Sequence, residues 1–163
     1  MPAAAPPPPE SPQVSITSLL TADLAAVWEH ASTPEGINYE MRPWMRMTVP
    51  AGALNMTADQ VVLGERLFRS WVLLFGLIPF DYDDLTLVEL DEGRRFLERS
   101  KMLSASVWQH ERTIEPAGEG LVRVTDTVTW VPRMKLATQV HQRIVAAFFA
   151  HRHRRMLKRF TTA

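Results

Sequence analysis

Ser106–Pro116 reads SVWQHERTIEP, and its alternation decides how the rest of the chain is interpreted. At period two one side carries Trp108, His110, Arg112 and Ile114, and the other Val107, Gln109, Glu111 and Thr113. Successive side chains of a strand point to opposite faces, so a half-buried strand here encloses a histidine and an arginine between two large apolar residues. The neighbouring stretches repeat the pattern. In RRFLERSKM one face holds Phe96, Glu98, Ser100 and Met102; in LVRVTDTVTWV it holds Val122, Val124, Asp126, Val128 and Trp130. Three successive strands each bring ionisable groups onto an otherwise apolar face. A lone charge in low dielectric is costly, whereas a paired and hydrogen-bonded one persists. The guanidinium of Arg112 suits a carboxylate, and Glu98 and Asp126, one strand away on either side, are its expected partners.

Working outward, QVSITSLL before these strands is β-branched and reads as a strand. TADLAAVWEHAS follows at helical spacing, with Thr21 as the expected N-cap. TPEGINYEM is a second short helix, capped by Thr33, with Pro34 in its first turn. From Trp44 the expected strands are WMRMTVP, a long GERLFRSWVLLFGLIP, LTLVEL, RFLERSKMLSA, SVWQHERTI and LVRVTDTVTWVP. AGALNMTADQ is a loop candidate. FDYDD, with Asp81, Asp83 and Asp84, is expected as a solvated hairpin turn, and DEGR and PAGEG are further turns. Short links favour an antiparallel meander. After Pro132 the chain turns helical over residues 134 to 160, with Val140, Ile144, Ala147, Phe148 and His151 on one stripe. Its basic end, HRHRRMLKR, complements the helix dipole. The fold class is therefore α+β: a curved antiparallel sheet of about seven strands gripping a long C-terminal helix, with two short helices after the first strand.

Composition narrows the function. The chain has 163 residues, one domain's worth, with 46% hydrophobic and 22% charged residues. Lysine plus arginine equals aspartate plus glutamate at 18 each, so no global field recruits nucleic acid or anionic membrane. The absence of cysteine excludes disulfides, thiolate nucleophiles and thiolate-bound metals. Residues 1–12 are rich in proline and alanine and are expected to form a disordered tail, leaving 13–163 as a single domain. The N-terminus lacks the basic and apolar regions of a secretory signal, and no apolar run reaches the ~18 residues of a membrane helix. The expectation is a cytoplasmic protein without stable membrane insertion. His151 and His153, two apart on a helix, cannot easily share a metal, so neither a metal nor another cofactor is expected.

The element order, together with LTADLAAVWEHASTPEGIN, GRRFLERS, WQHERTI and VTDTVTWVPR, resembles the START and Bet v 1-like superfamily, also called SRPBCC, over about Pro12 to Thr162. That superfamily includes lipid and sterol carriers, polyketide aromatase/cyclases, quinone-binding proteins and chaperone co-activators. The resemblance implies a helix-grip fold with a cavity between sheet and long helix that takes an apolar or aromatic small molecule. The expected lining is Glu98, His110, Arg112 and Asp126 at the polar end, with Trp108, Trp130, Met102 and Phe148 as apolar walls. Two alternatives accompany it. One is a cyclase-type enzyme in which His110 moves a proton and Arg112 holds an oxyanion. The other is a protein-interaction module of the co-activator kind.

Overall fold

The computed structural model describes residues 2–53, 60–134 and 138–161. Strand β1 (Gln13–Thr21) is followed by helices α1 (Leu24–Ser32) and α2 (Pro34–Met41) and by the short β2 (Met45–Met47). Strands β3 (Arg66–Leu74), β4 (Ile78–Asp91), β5 (Arg95–Met102), β6 (Ala105–Gly118) and β7 (Leu121–Pro132) form a meander, and helix α3 (Thr138–Thr161) ends the chain. All pairings are antiparallel, in the order β1-β7-β6-β5-β4-β3-β2. The first strand thus lies beside the last, and α3 packs on β1 and α2. This is the expected helix-grip architecture.

Local chemistry explains the two short helices. Thr33 Oγ1 accepts from the Gly36 amide, and Pro34 occupies the first turn. Gly36 is required by close approach: a Cβ there would stand 1.8 Å from the carbonyl oxygen of His30. Thr21 does not cap α1. It closes β1, and Asp23 is the N-cap residue.

Three other expectations change. GERLFRSWVLLFGLIP is two strands, because Phe75 and Gly76 both take positive φ, 52° and 74°, and reverse the chain between Leu74 and Ile78. An apolar run masked this turn. FDYDD is consequently inside β4, and Asp81, Asp83 and Asp84 are buried instead of forming a solvated turn. On α3 the buried line is Val145, Phe149, Arg152, His153 and Met156, while Val140 and Ile144 are exposed. The helix is rotated from the expected stripe because its inward positions include Arg152 and His153, which find buried carboxylates. At the start of the Pro/Ala-rich segment the Ala3 amide donates to Gly64 O, and Ala4 is buried. In AGALNMTADQ, Ala51–Ala53 is a 3-10 turn and residues 54–59 lie outside the described residues.

The interior is divided. One apolar cluster joins Leu20, Val27, Ala31, Ile114, Val122, Val124 and Met156. A second joins Ala105, Val128, Trp130, Val145 and Phe149, with half-buried Met102, Trp108 and Phe148 packed against it. Along β7 the inward sequence is therefore valine, valine, Asp126, valine, tryptophan. On α3, Phe149 and Met156 flank Arg152 and His153 in the same way. Strands β6 and β7 and helix α3 are apolar on either side of an ionisable middle, so a polar belt runs between the clusters.

Candidate functional site

Register builds the belt. Arg112 faces Asp126 across the β6–β7 ladder, and Glu98 faces His110 across β5–β6. Arg112 donates through Nε to Asp126 Oδ1 (2.7 Å) and through Nη2 to Asp126 Oδ2 (2.6 Å). Its Nη1 and Nη2 reach Glu40 Oε1 and Oε2, both at 2.9 Å. Arg152 Nε donates to Glu40 Oε2 (2.9 Å). Two carboxylates and two guanidiniums compensate one another in a dry setting, the condition under which buried charge is tolerated. Burial alone would push both carboxyls up. Arg112 and Arg152 around Glu40, and Arg112 and His110 around Asp126, outweigh it and hold both well below the usual carboxylate range.

Asp126 accepts two further bonds. His110 Nε2 lies 2.9 Å from Oδ1, and His153 Nε2 lies 3.0 Å from Oδ2. An ionised carboxylate only accepts, so each Nε2 carries the proton and donates. His153 Nδ1 is hydrogen-bonded to the Ser18 hydroxyl at 2.8 Å. His110 Nδ1 points towards Glu98 Oε2 at 4.0 Å, and its ring stands edge-on to Phe96 and Phe149. His30 Nε2 approaches Glu40 Oε1 at 3.4 Å without hydrogen-bond geometry.

Beyond His110 the belt continues into acids. Ser100 Oγ donates to Glu98 Oε1 at 2.6 Å. Burial first, and then the adjacent Glu98 carboxyl, push Asp83 well above the usual aspartate range. Asp83 Oδ1 has no hydrogen-bond partner among the described residues. Asp81 is satisfied differently, accepting from the amides of Tyr82 and Leu103 and from the Ser104 hydroxyl, and so fixes the β5–β6 turn.

Glu98, His110, Arg112 and Asp126 are thus brought together, all buried. Trp130 is fully buried, whereas Met102, Trp108 and Phe148 are half-buried beside it. Sequence reasoning missed Glu40, Asp83, Arg152 and His153. Glu40 sits in an eight-residue helix far from its partners in sequence. Arg152 and His153 are hidden in a basic run that reads as a solvated terminus. The spacing Phe149, Arg152/His153, Met156 was the available signal, since it continues the apolar face through both charged positions.

An open cleft of about 310 Å³ lies at the end of the apolar cluster that contains Trp130. Leu103, Ser104, Pro132, Arg133, Met134, Val140, His141 and Ile144 line it. Of these Leu103, Met134, Val140 and Ile144 are large, apolar and exposed, Met134 by 73%. His141 stacks at a tilt on Trp130, 5.4 Å between ring centres, and the buried Trp130 Nε1 has no partner among the described residues.

The profile of a domain of unknown function, DUF8410, matches residues 18–160. No curated protein matches the sequence. Solved structures match in fold. A START superfamily protein from Mycobacterium smegmatis superposes with a TM-score of 0.68 at 11% identity, covering 91% of this chain and 97% of that one. A protein from Chromobacterium violaceum gives 0.66 at 11% identity, with 93% and 99% covered. A protein of the dynemicin biosynthetic locus gives 0.55 at 15% identity, covering 88% of this chain and 46% of its own. The chain has the START-like helix-grip fold that its sequence resembles.

Proposed function

The chain belongs to the DUF8410 family, and we propose that it binds an apolar or aromatic small molecule at the cleft between the β5–β6 turn, the end of β7 and the start of α3. One observation carries this reading: four large apolar side chains are left exposed around a concave opening, one lining residue of which, His141, stacks on the buried Trp130. Single exposed apolar residues need no explanation, but a contiguous rim around a hollow is the mark of a binding groove. Met102, Trp108 and Phe148, expected as walls, belong to the apolar cluster of Trp130 and are not among the residues that line the cleft. Glu98, His110, Arg112 and Asp126, expected as the polar end of the site, are buried and do not line the cleft.

The fold supports this reading, since a relative in structure is a START superfamily protein. The cyclase-type alternative has less support. Its oxyanion holder, Arg112, already makes four hydrogen bonds to Glu40 and Asp126 and is fully buried.

The test is a titration of the purified protein with oleate and with anilinonaphthalene sulfonate, read by tryptophan fluorescence and thermal shift. Binding stabilises the folded state by mass action. Ile144→Glu, placed on the exposed rim, is expected to weaken binding about tenfold or more, because it removes apolar contact and buries a charge. A protein that responds to neither probe by either readout overturns the proposal.

A further inference from the structure

The antiparallel meander puts the β3–β4 turn (75–77), the β5–β6 turn (103–104), the end of β7 and the start of α3 at the same end of the sheet. Leu19, Val62 and Leu63 excepted, the exposed large apolar residues gather at or beside that end. The β3–β4 hairpin is the extreme case. Its run WVLLFGLIPF, residues 71–80, contains no charged residue. Leu77 at its tip is 82% exposed, and Phe75, Ile78 and Phe80 are exposed beside it. Phe75 is held outward at φ 52°, a conformation that bulky residues rarely adopt. Trp44 leans on it, 6.0 Å between ring centres, and is itself half in solvent.

Cations frame this apolar tip. Arg46 packs its Cβ and Cδ against Gly76 in the turn, and with Arg42, Pro43, Met45 and Phe75 it lines a second open cleft of about 310 Å³. Arg133 and Arg143 stand beside the first cleft and on the first turns of α3. None of these four side chains forms an ion pair among the described residues. The exposed carboxylates of the other turns, Glu89, Asp91, Glu92, Glu115 and Glu119, lie at the opposite end of the sheet, with Glu65 before β3. On the apolar end Glu10 stands before β1.

We propose that this end of the molecule docks reversibly on an anionic phospholipid bilayer, the hairpin tip entering the headgroup region with Trp44 and Phe75 at the interface and Arg42 and Arg46 on the phosphates. Aromatic side chains favour that depth, unpaired arginines near an anionic leaflet add electrostatic attraction, and no described helix is long and apolar enough to cross the membrane instead. A second copy of the chain would meet the same unpaired cations with its own, so the charge favours an anionic surface as occupant. The docked pose turns the Leu103–Ile144 cleft towards the bilayer. In that respect the inference rests on the ligand-binding reading, which it deepens by making the membrane the source of the apolar ligand.

Vesicle flotation of the full chain tests it, using phosphatidylcholine with and without phosphatidylserine. The chain is expected to float with the phosphatidylserine vesicles and to lose binding as salt is raised. Leu77→Asp should lower the bound fraction about tenfold or more, and Arg46→Glu should abolish the preference for phosphatidylserine. Val62→Asp, at the opposite end, should change nothing. No flotation with phosphatidylserine vesicles, or flotation of Leu77→Asp equal to the parent, overturns the docking. So does a dimer in sedimentation velocity that Leu77→Asp dissolves without any vesicle binding, which assigns the patch to a second copy. The oleate and anilinonaphthalene sulfonate titrations without vesicles are read on the same proteins: vesicle binding without a response to either probe supports the docking and overturns the ligand reading alone.

Discussion

Glu40→Gln keeps the shape of a fully buried side chain and removes one charge. In the parent, Glu40 accepts from Arg112 Nη1 and Nη2 and from Arg152 Nε, with Arg152 Nη2 also 2.8 Å away. Arg112 keeps Asp126, but Arg152 loses its carboxylate, and the belt becomes a buried site with one net positive charge. Breaking a buried pair by removing one partner costs about 3–5 kcal/mol. That is a large share of the roughly 5–15 kcal/mol that holds a domain folded. In urea, with a slope of about 2 kcal/mol/M, the midpoint should fall by about 1.5–2.5 M. In thermal unfolding the loss corresponds to about 6–20 °C for a chain of this length. The pH dependence carries a sign. The parent carboxyl is held below its unfolded value, so its contribution is complete above about pH 4.3 and disappears as pH falls through the lower folded value. The gap between parent and variant should therefore narrow in acid. Glu40→Met with Arg152→Leu should be less destabilised than Glu40→Met alone, because the stranded cation is gone. A Glu40→Gln protein within about 1 kcal/mol of the parent at neutral pH would refute the view that this carboxylate compensates both guanidiniums.

Asp83→Asn should stabilise the protein at neutral pH. Asp83 is raised by burial and by Glu98, so folding binds a proton there and stability falls as pH climbs above the unfolded aspartate value, about 3.9. Denaturation curves across that range should show the gain vanishing on the acid side; a gain independent of pH would contradict the assignment. Phe149→Ala removes a buried ring that touches His110, Trp108 and Phe148 and should cost about 3–5 kcal/mol by urea unfolding. Gly36→Ala drives a methyl into the His30 carbonyl and should cost at least about 1–3 kcal/mol; near-parent stability would show that α2 can shift without loss.

Much of the fold was legible because strand and helix periods are written locally. The alternation of Phe96–Met102, Trp108–Ile114 and Val122–Trp130 identified three central strands, their inward faces and four buried ionisable residues. Where local pattern was silent the reading failed. Phe75-Gly76-Leu77 carries no polar turn residue, so one long strand was expected where a hairpin stands. That error moved Asp81, Asp83 and Asp84 from buried β4 into a supposed surface turn. The rotation of α3 is not legible from an apolar stripe, because its inward face includes Arg152 and His153.

By itself the sequence determined which residues alternate inward on the central strands and that a long helix closes the chain, since both follow from backbone geometry repeated every two or 3.6 residues. Only the tertiary structure decided which charges meet. Glu40 and Arg112 are 72 positions apart, and Glu40 and Arg152 are 112 apart. Nothing local distinguishes a carboxylate that will neutralise two buried guanidiniums from one that stays in water. That choice is made when two apolar clusters close from both sides and leave the polar middle of each element no partner but the others.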